Sequence, residues 1–417
     1  MREMTESNIS SYGKVPSSWE CIKLKNILTL RSIKSGGVGE LLSVYLDRGV
    51  ISYSDSDGQQ VHKPSQDMSN YQIVKIGDFV LNNQQAWRGS VGVSKYDGII
   101  SPAYFVYDIS EKCDPLYMNF ALRDGCMVQQ YETASRGVGT IQRNLFAPWL
   151  LDSIIVLPSL PEQHRIATFL DEKCNEIDHI ASDIQEQIDI LEAYRRSIIT
   201  EIVTQGLNHD VQLKESGIEW AKLIPQHWEV KRNKYLMKKY KEISPVYHGE
   251  DILSLTVHGV IVRDLDAGGK MPTSFDGYQR LYPGNLLMCL FDYDVTPRCI
   301  GLIKNQGVTS PAYSQFIMSD GNDAGYYYYY YLMIDFTKEL LHLAKNLRHS
   351  FTEDQLGVIN TPVPPIPEQK AIAAYLDKKM IEIDAAVRDK NKQISILEEY
   401  KKSLIFEYVT GKKEVPA

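Results

Sequence analysis

The strongest constraint on how this chain can fold is an internal repeat at a fixed offset of 206 residues. The segment Leu160–Thr204 aligns without a gap to Ile366–Thr410, and 23 of 45 positions are identical. Shared landmarks include Pro161-Glu162-Gln163 with Pro367-Glu368-Gln369, Leu170-Asp171 with Leu376-Asp377, and Tyr194 with Tyr400. The flanks repeat more weakly. Pro16-Ser17-Ser18-Trp19-Glu20 echoes Pro225-Gln226-His227-Trp228-Glu229, and Ser101-Pro102-Ala103-Tyr104 returns as Ser310-Pro311-Ala312-Tyr313. A period this long is no solenoid unit; it reads as the duplication of a whole domain together with its following segment.

Each repeated segment has the pattern of one long helix. Proline near the start suits the first turn, and Glu162 or Glu368 follows it at the positive end of the helix dipole. No further proline or glycine occurs for about forty residues, enough for a rod of roughly 60 Å. Ile177, Ile184, Leu191 and Ile198 recur every seven residues, with Ile180, Gln187 and Tyr194 as a companion row and Ala181, Ile188 and Ile202 as a third. The second segment has Ile383, Lys390, Leu397 and Leu404, with companions Ala386, Gln393 and Tyr400. Seven-residue apolar spacing makes helices supercoil, and a shared register predicts an antiparallel coiled coil of one segment with the other. Lys390 interrupts its apolar row, and Gln187 with Gln393 is a candidate alignment pair.

The regions between the helices, 1–157 and 209–364, show strand-like runs such as Leu41–Leu46, Phe79–Leu81, Ala103–Tyr107, Ile252–Leu255 and Leu286–Phe291. Turn signals, among them Gly36-Gly37 and Gly268-Gly269, separate them. The fold class expected is α+β: two duplicated domains with mixed, mainly antiparallel sheets, joined by two long helices. The boundaries are 1–157, 158–208, 209–364 and 365–417. The tyrosine run Tyr326–Tyr331 reads as a buried packing face rather than a stacking platform.

Net charge is −8, which by itself argues against nucleic acid as a partner. The excess is local. Residues 160–205 hold ten acids and four bases, whereas the chain outside both repeated segments is nearly neutral. Contact with DNA would therefore come from local basic patches or from the help of a basic partner. The six cysteines are widely spaced and none forms Cys-x-x-Cys, so they fit reduced thiols in a cytoplasmic protein and no metal site. The acidic opening lacks signal-peptide character, and no run is long and apolar enough for a membrane span. No P-loop, no His-Glu-x-x-His and no Asn/Asp-Pro-Pro-Tyr/Phe tetrapeptide is present, so no catalytic residue is assigned.

The doubled helix opening carries a family resemblance. Leu157-Pro158-Ser159-Leu160-Pro161-Glu162-Gln163, with Ile166-Ala167 and Leu170-Asp171, returns as Val363-Pro364-Pro365-Ile366-Pro367-Glu368-Gln369, with Ile372-Ala373 and Leu376-Asp377. With the Trp19 and Trp228 openings, this resembles DNA-specificity subunits of type I restriction-modification systems over essentially the whole chain. The resemblance implies two target-recognition domains (1–157 and 209–364), each reading half of a split site in double-stranded DNA. The helices act as a spacer, with Ile177, Ile184, Leu191, Ile198, Ile383, Leu397 and Leu404 in its seam. They would also hold two methyltransferase subunits. Motor-nuclease subunits join when the complex restricts. S-adenosylmethionine, ATP and Mg are expected on those partners and no cofactor on this chain.

Base edges are read by Arg or Lys at guanine and by Asn or Gln at adenine. Loops rich in these types supply the candidates: Asn82, Asn83, Gln84, Gln85 and Arg88; Arg136, Thr140, Gln142 and Arg143; Arg298; and Lys345, Asn346, Arg348, His349 and Ser350. Alternative readings are a specificity subunit of a methylation-only complex, a coiled-coil adaptor that binds no DNA, and a small metal-dependent nuclease using acids such as Asp292 and Asp294.

Overall fold

The computed structural model describes residues 2–56, 64–138, 142–266, 272–344 and 349–416. The chain divides into two compact units, Met1–Ile184 with Lys392–Ala417, and Gln185–Asn391. Each unit therefore combines a head with one half of each long helix.

The head of the first unit is built on a four-stranded antiparallel sheet. Its order is Leu28–Arg31, Tyr104–Ile109, Phe79–Asn82, Val91–Val93. Side chains alternate across a strand, and both faces of this one are covered. Phe79, Leu81 and Tyr107 pack with Tyr117, Met118, Leu122, Met127 and Tyr131, which come from the helices Pro115–Arg123 and Gly125–Thr133. Val80 and Val106 join Leu42, Val44, Val50, Val74 and Ile100 in a second cluster. That two-sided burial is why Phe79-Val80-Leu81 is an unbroken apolar run.

The second unit repeats the plan with Met237–Tyr240, Ser314–Met318, Leu286–Met288 and Ile300–Leu302. Leu286 and Met288 face the large core, and Leu287 faces a smaller one with Leu253, Leu281 and Ile303. The tyrosine run lies in the helix Ala324–Thr337, with Tyr326, Tyr327, Tyr329, Tyr330 and Tyr331 buried. The hydroxyls of Tyr326, Tyr327, Tyr329 and Tyr330 are hydrogen-bonded. Tyr326 donates to the Val203 carbonyl (2.9 Å), Tyr329 donates to Asp377 Oδ1 (2.6 Å), and Tyr330 accepts from Trp220 Nε1 (2.9 Å).

The repeated glutamine joins each head to its long helix, Leu160–Gln205 or Ile366–Val409. Gln163 is buried; its Oε1 accepts from the Asp114 N–H (2.8 Å) and its Nε2 donates to the Pro158 carbonyl (3.0 Å). Gln369 does the same with the Asp323 N–H (2.7 Å) and the Pro364 carbonyl (2.8 Å). Asp114 and Asp323 in turn cap the Pro115–Arg123 and Ala324–Thr337 helices, accepting from the N–H groups of Tyr117 and Tyr326. The Tyr117 hydroxyl donates to the Val409 carbonyl (3.3 Å), as Tyr326 does to Val203. One head helix thus touches the start of one long helix through its cap and the end of the other through its tyrosine.

The opening tryptophans close the same corners. Trp19 Nε1 donates to Glu162 Oε2 (3.1 Å), and Trp228 is fully buried. Glycine follows each long helix with a left-handed backbone, Gly206 at φ +79° and Gly411 at φ +70°. A Cβ there would lie 2.8 Å from Glu368 Oε1 in the first case and 2.4 Å from Pro16 in the second, so both the backbone angle and the space select glycine.

Within each unit the helix halves run antiparallel. In the first, the Phe169 ring packs tilted against that of Tyr408 (4.7 Å between centres) and Lys401 pairs with Asp178 (2.6 Å). In the second, Arg195 pairs with Asp384 and Lys390 donates to Gln187. The lysine that interrupts the apolar row is therefore met by Gln187, not left against isoleucine. Ile177, Ile184, Ile198, Ile383 and Leu404 are buried, and Leu191 and Leu397 are half-buried. The third row supplies the rest of the seam through Ile188 and Ile202, while Ile180, Tyr194 and Tyr400 of the companion row are exposed. Salt links such as Arg195–Asp384 and Lys401–Asp178 join the helix pair where the exposed companion row does not.

Replacing Gln163 or Gln369 by Leu strands a backbone N–H and a carbonyl, at about 1–3 kcal/mol for each unsatisfied group. Urea denaturation followed by tryptophan fluorescence should show a lower midpoint for either variant with little change in slope.

Candidate nucleic-acid interface

In the first unit two candidate loops form one surface. The connection after the Phe79–Asn82 strand turns on Asn82, whose Oδ1 accepts from the Gln84 N–H (2.9 Å), and then forms the short 3-10 turn Ala86–Arg88. Gly89, in a left-handed conformation, ends that turn. The hairpin of Ser135–Val138 and Gln142–Leu145 is tied to this connection by the Leu145 N–H, which donates to the Asn83 carbonyl (3.0 Å). Asn82, Asn83 and Gln85 are half-buried, whereas Gln84, Arg88 and Arg136 are exposed. Gln142 lies in the hairpin strand, and Thr140 is outside the described residues.

The arginines of this surface are held by aromatic rings. The Arg136 guanidinium carbon lies 4.0 Å from the Trp149 ring centre and 4.8 Å from that of Phe146. Arg143 lies 4.8 Å from the Trp87 ring and Arg88 lies 5.6 Å from it. Arg143 Nη1 also donates to Glu132 Oε1 (2.8 Å). Cation–π contacts of this kind are worth about 0.5–1 kcal/mol at exposed sites; their larger effect is to restrict where a long side chain points. Residue type and spacing alone do not point to Trp87, Phe146 and Trp149. Their spacing from the arginines gives no periodic signal, because the hairpin brings them together.

In the second unit the equivalent connection, between Leu286–Met288 and Ile300–Leu302, carries Arg298. Its Nη1 donates to the Tyr328 hydroxyl (3.4 Å). His349 Nδ1 pairs with Asp294 Oδ2 (2.6 Å), and the imidazole holds the Asp294 carboxyl below the usual carboxylate range. The Phe351 N–H donates to the Leu290 carbonyl (2.9 Å) and the Tyr293 N–H to the His349 carbonyl (3.2 Å), so the segments around 290 and 350 form one edge. Ser350 is half-buried on that edge. Lys345, Asn346 and Arg348 are outside the described residues. Asp294, one of the acids considered for a nuclease, is engaged by His349. Among the described residues no group of three His, Cys, Asp or Glu side chains is placed to hold a metal ion, and no described helix is long and apolar enough to cross a membrane.

A duplicated α+β chain of this plan, with two antiparallel-sheet heads on two long helices, is the architecture of a chain solved in work on complex assembly and conformational transition of the type I R-M system. The two superpose with a TM-score of 0.69 at 16% identity, over 96% of this chain and 99% of that one. The putative type I restriction enzyme MjaX specificity subunit of Methanocaldococcus jannaschii is 24% identical over 440 residues, which is 97% of this chain and 95% of the relative. The type I restriction enzyme MjaVIII specificity subunit of the same organism is 24% identical over 428 residues, 96% and 94% of the two chains. No family model matches the sequence. The chain is thus similar to type I restriction enzyme specificity subunits along nearly its whole length.

Arg136→Ala should lower the affinity of the assembled complex for duplex DNA. If the guanidinium meets a phosphate, the slope of log affinity against log salt should fall by about 0.9. Fluorescence anisotropy across a salt series measures both quantities.

Proposed function

We propose that this chain is the DNA-specificity subunit of a type I restriction-modification complex: it reads a bipartite target in double-stranded DNA and performs no chemistry of its own. The observation that carries the reading is the duplication of a complete unit, head with helix halves, inside one chain similar to specificity subunits. Two like heads in one chain suit a target of two half-sites, with the paired helices setting the gap between them. Adenine methylation then belongs to two methyltransferase subunits with S-adenosylmethionine, and cleavage to motor-nuclease subunits with ATP and Mg.

The exposed apolar side chains of the long helices support docking of two like partners. Ile190 and Tyr194 stand one turn apart, 60% and 48% exposed, and recur as Ile396 and Tyr400, 54% and 55% exposed. One pair lies in each unit. Apolar pairs at this helical spacing, repeated with the chain's own offset, fit the same partner surface twice.

Two measurements test the proposal. Coexpression with the methyltransferase subunit, followed by single-molecule sequencing of methylated adenine, should give one two-part motif with a fixed gap. Exchanging residues 1–157 for those of another specificity subunit should alter only one half of it. A stable complex without methylation would favour the adaptor reading instead. Native mass spectrometry should find two methyltransferase subunits on the parent chain, one on Tyr194→Lys or Tyr400→Lys, and none on the double variant.

A further inference from the structure

Trp87 stands at the centre of the first unit's arginine surface without itself being a base-reading type. Its indole N–H donates to the Gln84 carbonyl (3.1 Å), which fixes the ring on the 3-10 turn. Arg143 and Arg88 both lie against the ring, 4.8 and 5.6 Å from its centre. The Leu145–Asn83 backbone hydrogen bond keeps the hairpin bearing Arg143 beside that turn. Arg143 is further oriented by Glu132, which accepts from Nη1 at 2.8 Å.

These contacts give Arg143 and Arg88 different characters. Guanine is read by two guanidinium N–H groups aimed in one plane at O6 and N7, so the reader's plane must be set before contact. An indole against the guanidinium and a carboxylate on one of its nitrogens restrict that plane. The same carboxylate offsets the charge that would draw the group to any phosphate. Arg88 is exposed and has no described carboxylate partner, a setting suited to phosphate contact.

We propose that Trp87 is a positioning residue for DNA readout: it orients the Arg143 guanidinium toward a guanine edge in one half-site. This rests on the reading of the 82–88, 135–138 and 142–145 segments as DNA-facing. Among the described residues of the second unit the device does not recur: the equivalent connection, Leu290–Arg298, holds no tryptophan and its arginine leans on the Tyr328 hydroxyl. The effect of Trp87 is therefore confined to the half-site read by residues 1–157.

The test uses the complete chain assembled with the methyltransferase subunit. Methylation rates are measured on duplexes carrying each single base change in both half-sites, for the parent and for Trp87→Ala, Trp87→Leu, Trp87→Phe and Arg143→Ala. Arg143→Ala should erase discrimination at one guanine position by about ten-fold or more. Trp87→Ala and Trp87→Leu should relax the same position, while Trp87→Phe, which keeps an aromatic face, retains most of the discrimination. Readout of the other half-site should not change in any variant. If Arg143→Ala relaxes the position and Trp87→Leu does not, the positioning role is overturned while the DNA-facing reading stands. If Arg143→Ala leaves every position unchanged, the assignment of this surface to base reading falls, and the role of Trp87 with it. Should Trp87→Ala fail to assemble, Trp87→Leu, which keeps an apolar side chain there, decides the matter. Equal loss at both half-sites would mark a general structural role and also overturn the proposal.

Discussion

The fold depends on a buried side-chain amide used twice. Gln163 and Gln369 each bridge a head-helix cap and the proline-rich exit from their own head. An amide is suited to this because it offers a donor and an acceptor from one group, and burial makes each bond costly to lose. Around it the neighbouring repeated residues take fixed places: the aspartate cap, the tyrosine reaching the other helix, a buried tryptophan and the glycine that follows each long helix.

Much of this architecture was legible in the sequence because it is periodic or duplicated. The 206-residue offset announced two like units, and the heptad rows announced the helices. The sequence could not choose which two of the three apolar rows form the seam. Ile180, Tyr194 and Tyr400 look like core residues by spacing, but Ile188 and Ile202 take that place. Rotation of a helix by one row costs little in pattern; charged pairs such as Lys401–Asp178 and Arg195–Asp384 bear on that choice only through the partner helix.

The heads were less legible. The strands appear close to where apolar runs predict them, but the helices Pro115–Arg123 and Gly125–Thr133 were not foreseen. Their apolar residues are interrupted by Asp124-Gly125, which ends one helix and caps the next. At the candidate interface, residue type marked Arg88, Arg136 and Arg143 only as members of separate loops, which the fold brings together. It could not find Trp87, Phe146 and Trp149, because stacking follows from tertiary contact between a turn, a hairpin and a short helix.

The division of each long helix between two units has a consequence for biosynthesis. The first head's core is completed by Leu404, Tyr408 and Val409, and Tyr117 waits for the Val409 carbonyl, 292 residues further along the chain. During translation the first head therefore leaves the ribosome with an apolar notch that the nascent chain cannot yet fill. The second head faces no such delay, since Ile198, Ile202 and Val203 precede it. The part made first is thus the one whose core waits longest for its last residues to be synthesised.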